Sequence, residues 1–260
     1  MVTNTRALAV YQLLGFAFMI TMNALANGLP LNGYTTAAVS DMYPNLFVPA
    51  GFTFSIWGII YLLLLGYTVY STSLLWKRNE ANPFLKPVTY VANYFTLTCG
   101  LNGTWIMMWH LLHIELSLLF MLWLLATLIL IYVKLQTHRY ALKGMQTLFL
   151  YIPFVVYLGW ISVATIANTT ALLVHYNWNG FGIDAVMWSC ILITVAALLG
   201  AFFSIFRSDF FYTLVVAWAL YGISVSQKAY DDIVTIAQGG IALCLVMIVI
   251  GLVRRRAVTG

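Results

Sequence analysis

The chain reads as an all-α, polytopic membrane helical bundle with eight transmembrane helices, and three observations predict this. Hydrophobic residues make up 63% of the 260, while Asp, Glu, Lys and Arg together make up 7%. The apolar residues gather into eight runs, each near the roughly 20 residues that a helix needs to cross a hydrocarbon core of about 30 Å. The charges fall between these runs or at their ends. A spanning helix satisfies its own backbone hydrogen bonds, which lipid cannot do.

The first run, residues 7–27, is long enough to span and lacks the pattern of a cleaved signal, so it is kept as a helix. Residues 28–47 form the longest link and carry Pro30, Gly33, Pro44 and several Asn and Thr, which predicts an ordered loop outside the membrane. Within it, the stretch TTAAVSDMY predicts a short helix capped by a threonine. The second span covers 48–71, and the polar link 74–87 places Pro83 and Pro87 at the head of the third span, 88–110, where proline is tolerated. The fourth, 115–135, follows a tight link at 111–114, so spans three and four should be antiparallel neighbours. The fifth covers 146–173, the sixth 184–206 and the seventh 210–227; a tight link at 228–232 then pairs the seventh with the eighth, 233–253. No internal repeat is evident, whereas inverted-repeat transporters usually show one.

The charges give an orientation. With eight spans, Arg6, Lys77, Arg78, Lys86, Lys134, Arg139, Lys143, Arg207 and Arg254–Arg256 all lie on the side of the termini. Lys228 lies opposite, with Asp41, Glu115, Asp184, Asp231 and Asp232. The positive-inside rule then places both termini in the cytoplasm, in a multi-pass protein of the cell membrane. The net charge of +5 forms no single basic face, so no nucleic-acid partner is expected. The arginine triplet at 254–256 reads as the stop after the last span.

The chemistry is sparse. Cys99, Cys190 and Cys244 lie in spans without a CxxC spacing, and no metal site is expected. No paired carboxylates, metal-ligand set or activated nucleophile appears within the spans, so no catalytic residue is assigned. Ion-coupled transport needs charged groups at mid-membrane depth, and none occupies the centre of a span. His110, His113 and Glu115 gather at one end of spans three and four, as a metal or proton site, a contact for a ligand carboxylate, or an ordinary wet loop. Lys228 sits beside Asp231 and Asp232 as a solvated interfacial charge.

Polar and aromatic stripes stand out instead. Span three carries Thr98, Asn102, Trp105, Trp109 and His113 on one helical face, and span five carries Tyr157, Trp160, Ala164 and Asn168 on another. Phe54, Trp57 and Tyr61 line a third face at the head of span two. Asparagine is expensive against lipid, so these faces should turn into the bundle. They serve either as packing faces with Asn as interhelical glue, or as the wall of a cavity suited to a flat, mostly apolar ligand.

Three segments carry a resemblance. VPAGFTFSIWGIIYLLLLGY (48–67), LNGTWIMMWH (101–110) and YLGWISVATIAN (157–168) are similar, in order and spacing, to signatures of the TspO/MBR family, the translocator or tryptophan-rich sensory proteins. The resemblance covers residues 7–175 and implies a five-helix bundle over 1–175, with 176–260 as a three-helix C-terminal extension lacking a counterpart in the family's usual length. It implies binding of porphyrin, haem or sterol-like molecules between the helices, beneath the loop that joins the first two, and a homodimer. Bound tetrapyrrole or lipid is the cofactor implied; membrane lipid and a small hydrophobic ligand are the partners. By motif position the resemblance names Pro49, Phe54, Trp57, Asn102, Trp105, Trp160 and Ala164 as ligand-binding residues. Tyr61 and Asn168 join them as pocket or supporting residues, and Trp109 follows from its stripe. The role implied is sensor, carrier or scavenger; the alternatives are facilitated movement of an apolar solute and, more remotely, tryptophan-based porphyrin degradation. Val156 stands where the family often has proline, with Pro153 about a turn earlier.

Overall fold

The computed structural model describes residues 4–29 and 31–259, with side chains described at all of these except 140 and 255–259. Pro30 and the side chains of Arg255 and Arg256 therefore lie outside the described residues. The described chain is helical and has no strand. Nine α-helices occur among these residues: α1 (Thr5–Gly28), α2 (Thr36–Asp41), α3 (Ile56–Lys77), α4 (Leu85–His110), α5 (Ile114–Gln136), α6 (Ile152–His175), α7 (Ala185–Arg207), α8 (Phe210–Ser226) and α9 (Asp231–Thr259). Apart from α2, each corresponds to one apolar run. Six helical stretches are long and apolar enough to cross a membrane on length and composition, and α8 is a shorter apolar helix. The 26-residue α4 has the length of a span, but its Thr and Asn content makes it more polar.

The helix boundaries follow local chemistry. Asn4 caps α1 by accepting the Arg6 and Ala7 amides, Thr35 caps α2 by accepting the Ala38 amide at 3.2 Å, and Asp184 caps α7 by accepting the Met187 amide at 2.9 Å. Each satisfies an amide that has no carbonyl partner in the first turn. The second span starts later than expected: Gly51–Ser55 form a 3-10 turn after Pro49, and the α-helix begins at Ile56. Span five opens instead on a π-helical turn, Thr147–Tyr151, before α6. Pro153 has no N–H for the carbonyl four residues earlier, which is a physical reason for the irregular turn.

By contact the chain falls into two compact units, Met1–Val39 with Ile56–Leu158, and Ser40–Ser55 with Gly159–Gly260. This division follows packing, whereas the one expected at residue 175 followed motif extent.

In the first unit, α4 packs between α1 and α5, and α3 lies against α1 and α4. Tyr67, Phe95 and Phe154 meet edge to face at 4.7–6.0 Å to form its aromatic centre. Gly103 lets the Phe18 ring approach so closely that an added Cβ would lie 2.4 Å from it. Gln12 reaches across to hydrogen-bond Ser71 and Thr72 of α3.

In the second unit, α7, α8 and α9 pack against one another. Small residues set their separation: a Cβ on Gly240 would meet Leu220 at 2.8 Å, and one on Gly251 would meet the Ser204 carbonyl. Close backbone approach of this kind is how helices associate where water supplies no hydrophobic drive. Phe203 and Tyr212 stack face to face at 3.7 Å.

Candidate functional site

Within the first unit, the faces of α3 and α4 and the start of α6 bring aromatic rings together. Trp57 stacks on Tyr61 with centroids 5.4 Å apart, lies 5.7 Å from Trp105, and meets Tyr157 edge on at 6.0 Å. Trp105 continues to Trp109 at 6.5 Å. These separations are those of rings in direct contact. Trp57 is 9% exposed and Trp105 5%, so both indoles are turned away from the lipid-facing surface of the unit.

A chain of amides runs beside the rings. Asn102, fully buried, donates to the Tyr157 hydroxyl at 2.9 Å and accepts from the Asn23 amide at 2.7 Å. Asn23 also donates to the Met19 carbonyl of its own helix. The Tyr61 hydroxyl is buried with no hydrogen bond of good geometry, although Asn102 is its near neighbour. Asn23 is a residue that sequence reasoning missed: it lies near the end of span one, a turn before Asn27, on none of the three aromatic stripes.

At the end of α4, the Trp109 indole donates to the Thr36 carbonyl. His110 is fully buried, its Nε2 3.1 Å from the Thr36 hydroxyl and its Nδ1 3.3 Å from the Leu31 carbonyl. The wet-loop reading therefore fails for His110, because residues 31–36 fold over it and take up both ring nitrogens. No group of three or more His, Cys, Asp or Glu able to hold a metal occurs among the described residues.

The other predicted residues lie in the second unit. Phe54 meets Trp160 edge on at 6.1 Å. Trp160 and Asn168 are buried, Ala164 is half-buried, and Pro49 is buried. Residues 48–53 are fastened to α8: the Ala50 amide donates to the Gly222 carbonyl, the Trp218 indole to the Thr53 carbonyl, and the Gln227 amide group to the Val48 carbonyl. A Cβ on Gly222 would fall 2.1 Å from the Thr53 hydroxyl.

The second unit also contains a cavity of about 600 Å³, and none of the ten predicted residues lines it. Its walls are residues 45–47, the later turns of α6, the turn 178–183 and the start of α7. The signal in the sequence is the pair Trp178 and Trp188 around the glycines of NGFG, residues 179–182.

The model of one protein family, described as TSPO-like protein, matches residues 9–251. The match extends beyond the motif-bearing residues and runs through α7, α8 and most of α9. No curated protein and no solved structure matches the chain.

Proposed function

The chain belongs to the TSPO-like protein family, and on that premise we propose that it binds a flat, largely apolar molecule within the membrane, porphyrin- or haem-like or sterol-like, as a sensor, carrier or scavenger. The observation that carries this reading is the convergence of Trp57, Tyr61, Trp105, Trp109 and Tyr157 around the Asn102 amide. Ring faces offer stacking surface to a flat ligand, and a small number of polar groups fix its orientation. Here the polar handles are the Asn102 amide and the Tyr61 hydroxyl. Because the rings touch one another, a ligand enters by displacing ring-on-ring contacts, and Trp57 is the ring it must move. The resemblance also names Pro49, Phe54, Trp160, Ala164 and Asn168 as binding residues; in this reading the bound molecule is a tetrapyrrole or lipid, and the protein works as a homodimer in the cell membrane.

Protoporphyrin IX titrated into the purified protein should quench tryptophan fluorescence saturably. Trp105→Phe and Trp57→Phe should each weaken apparent affinity by about two- to tenfold, the equivalent of one aromatic contact of roughly 0.5–1.5 kcal/mol. Linear quenching that ignores both substitutions means that the porphyrin merely partitions into detergent, and the reading falls. Facilitated movement of an apolar solute is the second reading, favoured by the lack of charge at the centre of the spans. It requires flux into vesicles that depends on the protein.

A further inference from the structure

The cavity at the α6–α7 turn has a composition that selects its occupant. Its walls are mainly apolar, including Phe47, Leu173, Trp178 and Trp188, and none of its lining residues is charged. An anionic headgroup placed there would lose its hydration with no cation to offset the loss. A neutral ligand is therefore required.

Most polar groups in the walls are already engaged. The hydroxyls of Thr165, Thr169 and Thr170 donate to the carbonyls of Ile161, Thr165 and Ala167 in their own helix. The Trp188 indole donates to the Gly180 carbonyl at 2.8 Å. Asn45 is occupied at both ends, donating to the Tyr43 carbonyl and accepting the Phe47 amide. Ser189 differs. It lines the cavity at 5% exposure, and its hydroxyl makes no hydrogen bond among the described residues. A buried serine in an apolar helix ordinarily turns back onto a carbonyl of the preceding turn, so an unengaged one beside a hollow is a polar handle awaiting a partner.

The turn 178–183, which forms one wall of the cavity, has an unusual backbone. Asn177 and Phe181 adopt positive φ values of 50° and 55°, and Phe181 is 79% exposed. Bulky residues rarely accept that conformation. Gly180, also at positive φ, leaves room for Trp188, whose indole nitrogen would lie 3.2 Å from an added Cβ. Trp178 then packs on Trp188 at 5.4 Å and on Phe181 at 5.0 Å. The strained backbone holds two indoles over an apolar hollow whose size is that of a small-molecule site.

We propose that this cavity is a second binding site, distinct from the aromatic cluster of α3, α4 and α6, that takes a neutral long-chain alcohol: an apolar body against Trp178, Trp188 and Leu173, with one hydroxyl exchanging a hydrogen bond with Ser189. The site does not depend on the porphyrin reading. A hydroxyl is matched to serine because both groups donate and accept.

The test uses the full chain in phosphatidylcholine vesicles with 9,10-dibromooctadecanol, whose bromines quench nearby indoles. A saturable component should appear above the linear quenching of lipid-facing tryptophans and should vanish when Trp178 and Trp188 are both replaced by Phe. Thr169→Phe, which fills the hollow, should abolish it. Ser189→Ala should weaken it by about two- to tenfold, as loss of one net hydrogen bond does. The matching dibromostearate anion at pH 9 should show no saturable component. Trp105→Phe should leave the apparent dissociation constant for the alcohol unchanged, and Ser189→Ala should leave porphyrin quenching unchanged, so the two sites fail or stand separately. Purely linear quenching by the alcohol overturns the proposal. So does a saturable component indifferent to Ser189→Ala, which decides the matter alone if Thr169→Phe does not fold.

Discussion

Asn102 joins three helices through one side chain, accepting from Asn23 of α1 and donating to Tyr157 of α6. Hydrogen bonds between membrane helices average only about 0.6 kcal/mol in double-mutant cycles, yet leaving a buried partner unsatisfied costs roughly 1–3 kcal/mol. Asn102→Ala takes one of its two acceptors from the Asn23 amide and the donor from the Tyr157 hydroxyl, so it should destabilise the protein by about 1–3 kcal/mol, read as a lower midpoint of thermal unfolding in detergent. Asn23→Ala alone should cost less, and the two changes together should be less damaging than their sum. Strict additivity would mean that the amides do not meet. Asn102 was legible in the sequence because it repeats at helical spacing with Trp105 and Trp109. Asn23 and His110 were not, because their environments are made by residues 79 and 74 positions away. Composition reports that a histidine lies near a helix end; it does not report that a loop folds over it.

Helix boundaries were largely legible, because caps are local: Asn4, Thr35 and Asp184 each act within three residues of themselves. Attachments between elements distant in sequence were not. The segment 48–53 was expected to serve a pocket, and the structure ties it to α8 through backbone and indole hydrogen bonds across 165 or more positions. Gly222 is the residue that permits this approach, since any Cβ there strikes Thr53 and Pro49. Gly222→Val should therefore push α8 from the segment, at a cost of about 1–3 kcal/mol by overpacking. It should also change the emission of Trp218, whose indole would lose the Thr53 carbonyl. A Gly222→Val protein with unaltered midpoint and unaltered emission would show that the segment and α8 are not in contact.

For the whole molecule, the charge distribution predicts which loops share a side of the membrane, and α4 is the helix on which this turns. Its apolarity is lower than that of six other helical stretches, but its flanks carry the decisive signal. If α4 crosses, the link after α3 with Lys77, Arg78 and Lys86 and the link after α5 with Lys134, Arg139 and Lys143 lie on one side. If it does not, these two basic links are separated by a membrane, which the positive-inside rule disfavours. For the 17-residue α8 the deciding charges are Arg207 before it and Arg254 after α9, which share a side only if α8 crosses as α9 does. Single cysteines at Glu80, Lys143 and Lys228 can be labelled with a membrane-impermeant maleimide, in a background where half-buried Cys190 is serine; Cys99 and Cys244 are buried. Eight crossings predict that Glu80→Cys and Lys143→Cys are protected in intact cells and exposed in inverted vesicles, with Lys228→Cys behaving oppositely. Opposite labelling of Glu80→Cys and Lys143→Cys would remove α4 from the spanning set, and matched labelling of Lys143→Cys and Lys228→Cys would remove α8 if α6 and α7 cross. Substituting Arg254 alone should leave the pattern intact, because the basic bias is spread over every link on that side rather than resting on the last one.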